Sequence, residues 1–158
     1  MNRQLHGLVS LGLFTVAAGL GVIAIARSSS LLAILYLCVI ALSGLVALYS
    51  FCCKCMCRAT RCGHVIPGII TQILPKRMSG RYTAVDKAGV IIPALITILY
   101  PQYWLIRDPT FFLLFWALVI LSLVEIRTWV CRECTNRYCP FSLFPHVSAQ
   151  DQKIQGKS

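Results

Sequence analysis

The sequence predicts an all-α integral membrane protein: four transmembrane helices as two helical hairpins, each followed by a cysteine-rich cytosolic segment. Three observations predict this class. First, the 158 residues are 58% hydrophobic and only 13% charged, with a mean hydropathy of +0.74, whereas soluble domains carry about 25% charged residues. Second, uncharged stretches cover residues 4–26, 28–53, 88–106 and 109–124. A bilayer span takes about 20 apolar residues. The last stretch is short by strict count but continues helically through Glu125 to Trp129. Third, the basic residues are segregated. Thirteen of the fifteen fall at the N-terminus, between spans two and three, or after span four, and only Arg27 and Arg107 fall on the opposite side.

These observations divide the chain into a first transmembrane hairpin (1–51), a cysteine-rich cytosolic loop with a short interfacial segment (52–82), a second transmembrane hairpin (83–130) and a cysteine-rich cytosolic tail (131–158). The gaps between spans are too short to bury a soluble core of their own. Lys and Arg in short loops stay cytoplasmic, so both termini and the middle loop are expected on the cytosolic side of a cell or organelle membrane. The formal net charge of +10 follows from that topology, and a nucleic-acid partner is not expected. The expected partners are the lipid bilayer, other membrane or cytosolic proteins, or a second copy of the chain. Ala24-Ile25-Ala26 before Arg27 also fits a signal-peptidase site. The apolar stretch before it is long for a signal sequence, so the uncleaved reading is preferred.

Each element has its own signals. Span one, Leu5 to Ala26, is rich in small residues (Gly7, Gly12, Ala17, Ala18, Gly19, Gly21), which allow close helix approach in lipid. A turn over Arg27-Ser28-Ser29-Ser30 follows, with Ser30 as the expected cap of span two, Leu31 to Phe51. The segment VIPGIITQILPKR is apolar but too short to span, and is read as lying at the interface. Thr83 and Asp86 have the spacing of a capping box at the start of span three. That span is expected to run to about Trp104, kinked at Pro93, with Tyr100, Tyr103 and Trp104 in an aromatic belt. Asp108 and Pro109 mark the cap and first position of span four, which runs to about Trp129. Glu125, the acid nearest a span interior, is expected to pair with Arg127 or Arg132.

The chemistry lies in two thiol groups. FCCKCMCRATRCGH (Phe51 to His64) holds five cysteines and a histidine, and VCRECTNRYCP (Val130 to Pro140) holds three more cysteines. Cys38, inside span two, reads as a small apolar side chain. The other eight lie on the expected cytosolic face, where clustered thiols point to metal or redox work rather than structural disulfides. The candidate metal ligands are Cys53, Cys55, Cys57, Cys62, His64, Cys131, Cys134 and Cys139. Cys131-Arg132-Glu133-Cys134 is a C-x2-C pair of the kind that supplies two corners of a zinc tetrahedron. Interleaved arginines favour the thiolate that binds metal. Zinc is the preferred cofactor, with an iron–sulfur cluster as the alternative, since Cys139-Pro140 echoes one cluster-binding run. Lipidation suits Cys52 and Cys53 but explains Cys62, His64 and the second group poorly.

The pairs Cys57-x4-Cys62 and Cys134-x4-Cys139 stand 77 residues apart in register, a weak sign of duplication. No catalytic constellation is evident, and no catalytic residue is assigned. Four helices with cysteine pairs resemble membrane thiol oxidoreductases that pass electrons to quinones. In those families the reactive pairs work at the outer face, the reverse of the placement expected here, so no residue roles carry over. The sequence therefore supports a multi-pass membrane protein with a cytosolic-face metal site serving assembly or interaction. The alternatives are a redox protein (an iron–sulfur carrier or a thiol–disulfide oxidoreductase) and a handler of soft metal ions.

Overall fold

The computed structural model describes residues 3–55, 65–78, 80–132, 136 and 139, and these residues are helical with no strand among them. The order is α1 (Arg3–Ala26), α2 (Ser30–Ser50), a 3₁₀ turn (Cys52–Lys54), α3 (Val65–Ile73), α4 (Ala84–Leu99), α5 (Gln102–Leu105), α6 (Pro109–Glu125) and a π-helical turn (Ile126–Val130). Among the described residues four spans are long and apolar enough to cross a membrane: 4–26, 30–54, 84–105 and 109–130. Their surfaces fit lipid rather than water. Only 11% of the most apolar stretch of the second span is buried inside the bundle, and Leu31, Ile34, Leu113 and Leu123 are exposed. In water such a surface would drive aggregation.

Helix ends follow local chemistry. The cap of α2 is Ser29, not Ser30: its hydroxyl accepts from the Leu32 amide while its backbone is extended, and Ser30 is already helical. At α4 the capping box is complete, with Thr83 and Asp86 each bonding the other's backbone amide. Asp108 caps α6 through the Thr110 and Phe111 amides, and Pro109 holds the first position.

Span three does not run unbroken to Trp104. It steps at Tyr100 and Pro101 before the single turn α5. Proline 101 has no amide hydrogen for the Thr97 carbonyl four residues back, and lipid offers no substitute donor. Tyr36, fully buried on α2, supplies it: its hydroxyl donates to the Thr97 carbonyl at 2.7 Å. The Gln102 side chain adds a bond to the Ile98 carbonyl at 2.6 Å. Among the described residues every fully buried side-chain nitrogen and oxygen has a hydrogen-bond partner.

The main packing partners are not neighbours in sequence. α1 packs most extensively along α6, and α2 along α4, while α1 and α2 meet over a smaller area. Ala17 and Ala24 of α1 share a core with Leu105, Phe115 and Val119. Ile25, Ala33 and Tyr36 form a second core, with Tyr100 packed on it. The small residues of α1 divide by face. Ala17 is buried and Gly21 lies where a β-carbon would come within 3.1 Å of Pro101 Cβ, whereas Gly12 and Gly19 face open space. The tightest approach is at Gly89, where a β-carbon would sit 2.8 Å from Ser50 Cβ. α3 packs against the 3₁₀ turn and the adjoining ends of α1 and α2, with Gly68 and Thr71 buried.

Candidate functional site

The N-terminal end of α1, the C-terminal end of α2, the start of α4 and the π-helical turn gather at one end of the bundle. Arg27 and Asp108 mark the other end, paired at 3.3 Å. At the first end the centrepiece is Asp86, whose side chain is 1% exposed. Its Oδ2 meets Lys54 Nζ at 2.7 Å and its Oδ1 meets an Arg77 guanidinium nitrogen at 2.8 Å. The same carboxylate accepts from the Thr83 amide and hydroxyl. A buried charge persists only when paired and fully hydrogen-bonded, and Asp86 meets that requirement from three chain segments. The sequence showed its capping role. It did not show that Lys54 and Arg77, 32 residues before it and 9 residues before it, converge there.

This ion cluster fixes the first thiol group. The Arg77 amide donates to the Cys53 carbonyl at 3.3 Å, and its guanidinium reaches the Ser50 carbonyl and lies over the Tyr49 ring. Lys54 lies 5.7 Å from the centre of the Tyr82 ring. Tyr82 in turn stacks on Phe51, with ring centres 4.2 Å apart, and its hydroxyl donates to the Phe51 carbonyl at 3.2 Å. Cys53 is 1% exposed, so its side chain lies in the protein interior.

The tail meets the loop at the Tyr82 hydroxyl. The Asn136 side-chain amide donates both to the Tyr82 oxygen at 3.3 Å and to the Cys55 sulfur at 3.4 Å. Asn136 is 2% exposed, and its carbonyl accepts from the Cys139 amide at 3.2 Å. Burial pushes the Tyr82 hydroxyl above the usual phenol range. The nearby Cys55 adds to this, the hydrogen bond from Asn136 opposes it, and Cys139 and Cys52 add more weakly. Tyr82 therefore stays a neutral hydroxyl, able to donate and accept at once. Cys55 from the first group and Cys139 from the second thus stand near one phenol.

The other predicted ligands are distributed differently. Cys131 ends the π-helical turn, its amide bonded to the Ile126 carbonyl at 2.8 Å, and it borders an apolar groove along α6. Cys57, Cys62, His64 and Cys134 lie outside the described residues. Among the described residues no three His, Cys, Asp or Glu side chains gather as a metal site would require.

One polar pair went unread in the sequence. Glu125 does not pair with Arg127 or Arg132. Its carboxylate turns inward to His6 Nδ1 at 2.7 Å, with His6 almost fully buried. The His6 ring stacks on Trp129, with centres 4.7 Å apart and planes within 3°. One turn further in, the Ser122 hydroxyl donates to the Ser10 carbonyl at 2.9 Å. Side chains on one helix that are two residues apart point to different faces, so Arg127 was a poor partner for Glu125 from the outset. The available signal was His6, Ser10, Ala17 and Ala24, all on one face of α1.

Compared with protein families, curated proteins and solved structures, the chain matches none of them.

Proposed function

We propose that this is a multi-pass membrane protein whose thiol-bearing end binds a soft or borderline metal ion, zinc in the first instance, and that the metal joins loop to tail to hold an assembly or interaction surface. The observation that carries this reading is Asn136, whose side chain bonds the Cys55 sulfur and the Tyr82 hydroxyl and whose backbone carbonyl bonds the Cys139 amide, although 84 residues separate the two cysteines. A tetrahedral site needs four ligands. Cys57, Cys62, His64 and Cys134 lie within nine residues of one or other of these two thiols in sequence and are the candidates to complete it. Asn136 would then act as the outer hydrogen-bond donor to a thiolate ligand, the type of support that orients metal sites. The charge-rich thiol end is assigned to the cytosolic side by the distribution of Lys and Arg.

Elemental analysis of the purified protein, with its absorbance spectrum, tests the reading. Close to one zinc per chain without visible absorbance is expected, and Cys55→Ser with Cys139→Ser should remove most of it. Visible charge-transfer bands would favour the iron–sulfur alternative. Less than about half an equivalent of any metal, from cells grown with adequate supply, would refute metal binding.

A further inference from the structure

Beyond the metal reading, we infer that the lipid-facing flank of α6 and its π-helical turn holds one anionic phospholipid, with its headgroup at Arg127 and an acyl chain in the groove that Cys131 borders. Three observations carry this. Among the described residues the acidic group nearest Arg127 in sequence, Glu125, is engaged by His6, and Arg127 has no ion pair there. Arg127 and Arg132 are both exposed, one turn apart, where the apolar span ends. An almost wholly apolar groove of about 410 Å³ runs from Arg127 and Cys131 back along Ile120, Leu123 and Val124.

The π-helical turn creates this arrangement. Beside its wider backbone bond, from Cys131 to Ile126, Trp129 stacks on His6 with half of its surface still exposed, and Arg127 is exposed as well. Thr128 directs its hydroxyl to its own Val124 carbonyl at 2.7 Å, so it adds no free polar group to the groove wall. A cation at the membrane border with no acidic partner among the described residues, continuous with an apolar groove, matches a negatively charged headgroup bearing a hydrocarbon chain. A zwitterionic headgroup offers Arg127 no net charge to neutralise. One Lys or Arg near an anionic membrane surface contributes about 1 kcal/mol, which is about fivefold in affinity.

The test uses the full-length protein in neutral detergent, titrated with phosphatidylglycerol or phosphatidylcholine carrying brominated acyl chains. The signal is tryptophan quenching, with the Trp129→Phe protein subtracted so that only Trp129 is read. Half-quenching is expected at about fivefold lower mole fraction for phosphatidylglycerol. Arg127→Gln should abolish the difference and Arg127→Lys should largely keep it, with helix content checked by circular dichroism. If Arg127→Gln fails to fold, the comparison of the two lipids on the native chain decides alone. Equal quenching by both lipids overturns the inference, as does a preference that survives in folded Arg127→Gln. Displacement by glycerol phosphate at concentrations matching the lipid would assign the site to free phosphate instead. Loss of quenching as protein concentration rises would assign the groove to a second copy of the chain.

Discussion

Asp86 shows how one residue can organise a surface. It serves as helix cap, counterion to Lys54 and counterion to Arg77 at once. Removing one partner of a buried ion pair leaves an uncompensated charge and costs about 3–5 kcal/mol. Asp86→Asn leaves two cations facing a neutral amide, so a loss of at least about 3 kcal/mol is expected, read as a lower thermal midpoint in detergent. Lys54→Met should cost clearly less, because Arg77 still balances the carboxylate. Equal losses in the two variants would show that the Lys54 pair carries the whole contribution and that Arg77 does not balance the carboxylate alone. At the other buried pair, His6→Ala and Glu125→Gln should be strongly non-additive. Contacting residues couple by about 0.5–3 kcal/mol in double-mutant cycles, and a coupling near zero would mean that the 2.7 Å contact contributes nothing to stability.

Elements were legible in the sequence wherever the signal was local. Thr83 with Asp86, and Asp108 before Pro109, announce helix starts because the capping groups lie within three residues of the amides they satisfy. The break at Pro101 was harder to read. Proline is tolerated inside a membrane helix when another group satisfies the freed carbonyl, and the donor, Tyr36, comes from a different helix. Tyr36→Phe is therefore expected to destabilise the fold by about 1–3 kcal/mol, the cost of a buried acceptor left unsatisfied. Pro101→Ala in the same protein should recover much of the loss by restoring a backbone donor. Gly89 carries a similar long-range constraint. Gly89→Ala should loosen the contact between α2 and α4, and Ser50→Gly should relieve it. Thermal midpoints of the two single variants and the double variant check this, and an additive result would place the effect elsewhere.

For the whole molecule, composition was enough to give four apolar spans. It could not give the pairing of α1 with α6 and α2 with α4. In lipid, helix choice depends on close packing and a few polar contacts rather than on burying apolar area. Those contacts rest on residues such as His6, Ser10 and Ser122, which look ordinary when read singly. The contact of Asn136 with Cys55 was not legible for the same reason. Cysteine spacing marked both segments, but Tyr82 and Asn136, which bond to each other beside Cys55, carry no metal-binding signature. Asn136→Ala should free the tail from the loop without altering the spans. Limited proteolysis should then cut after residue 132 more readily, with an unchanged helical signal. An unchanged cleavage rate would separate tail docking from this amide.

The partnership of the first span with the fourth has a consequence for biogenesis. A ribosome delivers α1 to the membrane long before α6 emerges, so His6 has no carboxylate to meet during most of translation. Until then the nascent chain displays an unmatched imidazole near the bilayer border, a mark that quality-control machinery for misassembled membrane proteins can read. Chains halted before residue 109 should accordingly be degraded faster than full-length ones, and His6→Leu should slow that degradation.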